Sequence, residues 1–364
     1  MNQIEEWMNS RIGLNFRSGL GRMQQAVKLL GNPHEAVPMI HVTGTNGKGS
    51  TIAFMRQLFQ QHGLKVGTFT SPHIVSMHDR ICINGQPISD QDLIRLGQRI
   101  QEMESQLLET HDQLSYFEII TLLAFLYFHE QEVDLALIEV GIGGLLDTTN
   151  VITGEVAVIT SVGLDHQETL GGSLEAIAAQ KAGIFKAGKP AVIGPLAEEA
   201  ERVCIEEAKA TGCSLARYGE DFQLVKGVFQ DARHRFDSLK VGLNGAYQEE
   251  NAAVALEAFL LFMEQRGKQV DENCVREALQ TTSWPGRLES FGQGVYLDGA
   301  HNPHAIHRLV EYARTFSDKR VKILFGALKR KDYKGMLEIF SRDLPEADLT
   351  VTTFAYGEVV QEAD

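Results

Sequence analysis

The sequence predicts an α/β protein: a P-loop parallel sheet followed by a smaller Rossmann-like α/β domain. Three observations carry that expectation. Apolar runs of strand length alternate with amphipathic stretches up to about Gly194, the pattern of a parallel sheet covered by helices. A glycine-rich segment from Gly44 to Ser50 lies between the first such run and a helical stretch. After Ser283-Trp284-Pro285-Gly286-Arg287, a Pro-Gly break that reads as a linker, the strand–helix rhythm starts again.

Taken in order, the expected strands are Pro38–Thr43, Lys65–Thr70, Asp134–Val140, Glu155–Thr160 and Pro190–Ile193. Between them lie helical stretches at Thr51–Gln61, at Asp90–Glu109 (opened by Ser89 with Asp92) and at Tyr116–Glu130, with another at Ser173–Phe185. From Phe222 to Val241 the texture changes to short alternating β segments, and helices follow at Gln248–Glu264 and Glu272–Leu279. Beyond the linker come a strand at Gly294–Leu297, a helix from Pro303, a strand at Val321–Phe325, a helix near Asp332 and a strand at Asp348–Thr352. The boundary is placed near Ser290, giving domains over 1–290 and 291–364.

Composition narrows the function classes. At 364 residues the chain can build two cores, and its 43% apolar content is ordinary for a globular protein. The longest apolar run, Ile119 to Phe128, falls well short of the roughly 20 residues a spanning helix needs. The acidic N-terminus lacks a secretory pattern, and Cys82, Cys204, Cys213 and Cys274 form no C-x-x-C pair, so a cytoplasmic location is expected. A net charge of −14 argues against a nucleic-acid surface. Small anions can still be held by helix N-termini and metal ions.

The segment Gly44-Thr45-Asn46-Gly47-Lys48-Gly49-Ser50 is the sharpest signal. Glycines let backbone N–H groups curl towards an anion, a helix dipole adds positive potential, and Lys48 supplies a point charge. The spacing departs from G-x-x-x-x-G-K-[ST], because Gly49 separates Lys48 from Ser50. Glycines alone would read as a turn with a surface lysine; the strand–loop–helix context favours a nucleotide. In a doubly wound sheet, ligands gather beyond the C-terminal strand ends. Those ends carry Ser71 with Pro72 and His73, Glu139 with Gly141, Gly143 and Gly144, and Ser161 leading to Asp165 and His166. Ser71, Glu139 and His166 offer a hydroxyl, a carboxylate and an imidazole to a Mg²⁺ on the phosphates, His being an unusual ligand for that ion. Singly, each has a plainer reading as turn residue, helix cap or loop histidine. Lys181, in Ala-Ala-Gln-Lys-Ala-Gly-Ile, reads by itself as a surface lysine with a snorkelling side chain. Asp298-Gly299-Ala300-His301-Asn302-Pro303 repeats the strand–turn–helix logic, with Asp298 and His301 either a cap and a loop residue or a second half-site for the nucleotide.

These segments, together with Tyr116-Phe117-Glu118, Gln180-Lys181-Ala182-Gly183-Ile184 and Pro285-Gly286-Arg287, occur in an order that resembles the folylpolyglutamate synthase/dihydrofolate synthase family within the Mur ligases, over essentially the whole chain. The resemblance implies an ATP-dependent acid–amino-acid ligase acting on a folate or dihydropteroate with L-glutamate, as a cytoplasmic monomer with two Mg²⁺ ions. It implies ATP binding by the Gly44–Ser50 loop and by Asn251, Arg287 and Asp298. It makes Ser71, Glu139 and His166 magnesium ligands and Lys181 a carbamylated lysine that helps hold a second ion. Lys48, Lys181 and His301 become catalytic, and Ser115, Tyr116, Phe117 and Asp147 substrate-binding. A cell-wall muramyl ligase would carry a UDP-sugar domain before the loop, where 43 residues precede Gly44. The sequence departs from the family at Leu145, where many relatives carry Arg, and stops at Asp364, where relatives usually continue for several dozen residues. A catalytically impaired nucleotide-binding relative is the competing expectation.

Overall fold

The computed structural model describes residues 3–13, 19–316, 318–354 and 359–360. They fall into two compact units: Met1–Gly242 with Glu250–Thr282, and Leu243–Glu249 with Ser283–Asp364.

The first unit is organised on an eight-stranded sheet of β1 (Met39–Thr43), β2 (Val66–Phe69), β3 (Ile81–Ile83), β4 (Gln86–Pro87), β5 (Leu135–Glu139), β6 (Val156–Ile159), β7 (Pro190–Ile193) and β8 (Ser214–Arg217). Its spatial order is β4-β3-β2-β5-β1-β6-β7-β8, and β2, β5, β1, β6, β7 and β8 run parallel. Every residue of β1, β2, β5, β6 and β7 is buried, which is why these strands read as unbroken apolar runs. The sheet is not purely parallel, however. β3 pairs antiparallel with β2, and β4 with β3. Asn84 and Gly85, at φ 51° and 78°, make the tight turn between them that an Asn-Gly pair favours. Strands this short give no periodic signal, so the turn residues are the only sequence trace of this edge.

The helices are α1 (Gln3–Asn9), α2 (Gly21–Leu29), α3 (Lys48–Gln61), α4 (Asp90–Leu107), α5 (Tyr116–Glu130), α6 (Gln167–Leu170), α7 (Leu174–Ala182), α8 (Glu198–Thr211), α9 (Tyr247–Gln265) and α10 (Glu272–Thr281). α5 is buried from Glu118 to Phe128, as a helix apolar on all sides must be. It shares a core with Met8 of α1, Met23 of α2 and Leu93 and Leu96 of α4. α7 and α8 pack Ala178, Ala182 and Cys204 against Ile159 and Ile193. α3 meets α9 through Phe59, whose ring lies edge-on to Phe259 and Phe262 at 4.9 and 5.1 Å. A small antiparallel sheet of β9 (Gln223–Val225), β10 (Val228–Gln230) and β11 (Arg235–Phe236) completes this unit.

The second unit contains β12 (Glu289–Ser290), β13 (Tyr296–Leu297), α11 (Pro303–Arg314), β14 (Lys322–Phe325), α12 (Tyr333–Asp343) and β15 (Asp348–Val351). β14 and β15 pair in parallel, and Ile306, Val310, Phe325, Met336, Ile339 and Phe340 form the core. The expected strand at Gly294–Leu297 behaves differently. Tyr296 and Leu297 pair antiparallel with Ser290 and Glu289 as a hairpin, across a turn in which Gly292, Gln293 and Gly294 all have positive φ.

One contact links the N-terminal helices to the start of α5. Arg22 Nε donates to both carboxylate oxygens of Glu118 at 2.8 and 3.0 Å, and the two side chains are 11% and 4% exposed. Glu118 also accepts the Ser115 N–H at 2.7 Å, while Ser115 Oγ accepts the Glu118 N–H at 3.4 Å, a reciprocal cap. Arg22→Ala strands a buried carboxylate and is expected to cost about 3 kcal/mol of stability. Chemical denaturation checks this; an unchanged midpoint would mean that water compensates Glu118 without its arginine.

Candidate active site

The phosphate loop is shaped by the strand beside it. Helix α3 begins at Lys48, three residues earlier than its apolar pattern suggests, directly after Gly47 at φ 87°. A helix start leaves its first N–H groups without intrahelical partners, so the loop presents donors. The chain after β6 braces it. Ser161 Oγ accepts the Asn46 N–H at 2.9 Å and donates to Asn46 O at 3.0 Å, while Thr160 Oγ1 donates to Asn46 O at 2.6 Å. Thr45 Oγ1 donates to Gly163 O at 3.1 Å and accepts the Gly163 N–H at 2.9 Å. Asn251 of α9 closes the other side: a Cβ on Gly47 would stand 2.5 Å from its Oδ1, so residue 47 has room for glycine alone.

Lys48 and Glu139 face each other from α3 and β5. Lys48 Nζ lies 3.8 Å from Glu139 Oε1 and donates to Gly44 O at 2.9 Å. The other carboxylate oxygen accepts the Ser71 N–H at 3.1 Å. The ends of β1, β2 and β5 therefore meet around one buried carboxylate.

Lys181 is 3% exposed, which overturns its reading as a snorkelling surface lysine. Helix α7 lies so close to the glycine loop that a Cβ on Gly144 would meet Gln180 O at 2.7 Å and Lys181 O at 2.9 Å. Burial, and then the nearby positive charge of Lys48, lower the Lys181 pKa to about 7, against the opposing pull of Asp165 and Asp147. His166 starts α6 in the left-handed region at φ 52° and is held beside Asp165, with Nε2 3.9 Å from Oδ1.

The expected substrate segment divides by role. Phe117 packs near Phe69, with ring centroids 5.8 Å apart, and its ring occupies the space a side chain at Gly141 would need. The Arg80 guanidinium lies over the Tyr116 ring at 5.7 Å, and Arg80 Nε donates to His73 Nδ1 at 3.0 Å. Ser115 and Asp147 are engaged by their own backbone. Ser115 caps α5, and Asp147 accepts the Ile142 and Thr149 N–H groups at 2.9 and 3.0 Å and the Thr149 hydroxyl at 2.6 Å. Because Thr149 gives its proton to Asp147, His41 Nε2 must donate to Thr149 Oγ1 across 2.8 Å. Burial keeps that histidine neutral, its pKa lowered to about 3. This chain through His41 and Thr149 escaped the sequence, where His41 is only a polar residue in an apolar run. Exposed aliphatic side chains rim the strand ends: Ile74 and Val75 after β2, Leu145 and Leu146 after β5, and Leu164 after β6.

Arg287, Asp298 and His301 belong to the second unit. Asp298 accepts the Leu288 and Ala300 N–H groups at 2.9 and 2.8 Å, and burial outweighs these bonds to raise its pKa. Arg287 Nη1 donates to Gly286 O at 3.2 Å, and His301 Nδ1 lies 2.9 Å from Gly299 O.

A braced phosphate loop on a doubly wound sheet, followed by a second α/β unit, is the architecture of a Mur ligase. The Mur ligase middle domain matches residues 42–259, and the Mur ligase glutamate ligase domain matches 286–363. The chain is 35% identical to the dihydrofolate synthase/folylpolyglutamate synthase of Bacillus subtilis, over 97% of this chain and 88% of that protein. It is 33% identical to the Escherichia coli protein of the same description, over 92% and 78%. Its structure superimposes with a TM-score of 0.89 on an FPGS–AMPPCP–folate complex, at 32% identity and covering 97% of this chain and 96% of that one. E. coli FolC in complex with DHPP and ADP matches equally well, with a TM-score of 0.89 at 30% identity, covering 100% and 86%. The chain belongs to the folylpolyglutamate synthase/dihydrofolate synthase family of ATP-dependent ligases.

The Lys181 environment gives a pH signature. Its ordinary pKa of 10.5 applies to the unfolded chain, and about 7 to the folded one. Between those values the unfolded state binds the extra proton, so stability rises with pH from about 7 to about 10.5. With CO₂ excluded, so that the side chain is the free amine, Lys181→Met should flatten that rise in denaturation midpoints measured across the window. The same slope in both proteins would show that Lys181 titrates normally.

Proposed function

We propose that this protein joins L-glutamate to a folate in an ATP-driven reaction, as a cytoplasmic monomer. The observation that carries the reading is the convergence of Lys48, Ser71 and Glu139 at the mouth of the braced phosphate loop. In this reaction a folate carboxylate oxygen attacks the γ-phosphorus of ATP, the bond to ADP breaks, and an acyl phosphate forms. The glutamate amine then attacks the acyl carbon, phosphate leaves with its oxygen, and the amine loses a proton.

The loop and the α3 N-terminus bind the phosphates, with Lys48 compensating their charge and holding the terminal phosphate in line. Asn251, Arg287 and Asp298 are proposed nucleotide contacts, and His301 a phosphate contact. Tyr116 and Phe117 are proposed to meet the flat ring system of the substrate, with the exposed aliphatic rim offering it apolar cover. Ser115 and Asp147 serve by shaping the segments beside it, since their side-chain oxygens are already engaged. Leu145, 45% exposed, adds aliphatic surface to this rim.

The donor set suits Mg²⁺: the Ser71 hydroxyl and the buried Glu139 carboxylate are hard oxygen donors, and Lys48 is a neighbouring cation rather than a covering group. His166 is the proposed third ligand. A second ion is proposed to draw on Lys181 as a carbamate, because a lysine with a pKa of about 7 has the neutral fraction that reacts with CO₂. When bound, the metal neutralises charge on the phosphate oxygens.

Turnover with tetrahydrofolate, L-glutamate and MgATP, read as ADP release and as glutamylated product by mass spectrometry, tests the proposal. Lys48→Ala should fold normally and lose at least about a hundredfold in rate. Nucleotide binding with no product from the wild-type chain would contradict the proposal in favour of an impaired relative. A parallel arm with dihydropteroate asks whether the first glutamate is also added.

A further inference from the structure

Away from the phosphate loop, the first unit holds another concentration of ligand-type side chains. Glu5 of α1, His78 of the short 3₁₀ turn Met77–Arg80, and Asp90 at the start of α4 each bring one donor atom into a group whose three atoms lie within 4.8 Å of one another. Among the described residues no other group of three His, Cys, Asp or Glu side chains meets that condition.

The histidine is posed as metal-binding histidines are. Nδ1 is fixed by Ser76 Oγ at 2.9 Å, which sets the ring orientation, as an outer-shell partner does. Nε2 lies 3.0 Å from Asp90 Oδ1 yet makes no hydrogen bond, because the carboxylate sits off its axis. In the tautomer whose Nδ1–H donates to Ser76 Oγ, Nε2 keeps its lone pair for an ion. Tetrahedral zinc holds its nitrogen and oxygen ligands about 3.3 Å apart, which the His78–Asp90 separation matches, and the Glu5 donor atom lies within 4.8 Å of both.

We propose that Glu5, His78 and Asp90 form a site for a divalent transition-metal ion of the zinc class, with a fourth position left to water. One imidazole and two carboxylates suit zinc, cobalt or manganese better than magnesium. The ion would tie α1 and α4 to the turn that returns from the Ser71 loop. That turn is itself joined to the loop through Arg80 and His73. The site is thus a clamp on the segment that carries Ser71, separate from the nucleotide.

Cobalt is the probe, because its visible absorption reports four-coordinate nitrogen and oxygen ligation. Protein stripped by chelation is titrated with Co²⁺, and bound ion is counted by equilibrium dialysis. One ion should persist in Glu139→Gln, which removes a proposed active-site ligand. Its affinity should fall at least about tenfold in His78→Gln, with loss of the absorption band. Asp90→Asn provides the same test should His78→Gln misfold, since the Asp90 side chain is 80% exposed. Equal Co²⁺ binding by wild type and Asp90→Asn, or no ion in Glu139→Gln, would reduce the cluster to ordinary ion pairs and overturn the proposal.

Discussion

Everything at the nucleotide end of the sheet depends on how Thr160 and Ser161 hold Asn46. A glycine-rich loop left to itself samples many conformations, and ordering it costs roughly 1–2 kcal/mol per residue. Here the hydrogen bonds from the neighbouring strand end, with Asn251 against Gly47, fix the loop before any phosphate arrives. The parallel order β5-β1-β6 makes this possible, because it sets the ends of those strands side by side. Thr43 extends the same logic towards β5, donating to Gly143 O at 2.6 Å.

The electrostatics follow from this packing. Glu139 is buried with Lys48 at 3.8 Å from one carboxylate oxygen and the Ser71 N–H on the other, a hard-oxygen setting that suits a cation. Lys181 is buried, and burial together with the charge of Lys48 disfavours its ammonium form. A modification that turns Lys181 into an anion would reverse that conflict.

The parts of this protein legible in its sequence are those with strong local causes. Strands buried on both faces read directly as apolar runs, and the phosphate loop as glycines between strand and helix. The β3–β4 edge was illegible as strands because two- and three-residue pairs have no period. Lys181 was misread by its neighbours alone: Ala-Ala-Gln-Lys-Ala-Gly has small residues on every side, so no face of α7 looks buried until Gly144 packs against it. Ser115 and Asp147 were found as motif positions, but their engagement with local backbone is a matter of geometry that spacing does not encode. The His41–Thr149–Asp147 chain joins residues more than a hundred apart, and only the fold brings them together.

The central claim is that the site activates a carboxylate by phosphorylating it. Folate labelled with ¹⁸O in the acceptor carboxylate, turned over with glutamate and MgATP, tests this at the level of atoms. An acyl phosphate route sends one labelled oxygen into the released phosphate, visible as a mass shift in phosphate analysed by mass spectrometry. Product formed with wholly unlabelled phosphate would mean that the carboxylate never bonds to phosphorus, and would contradict the mechanism.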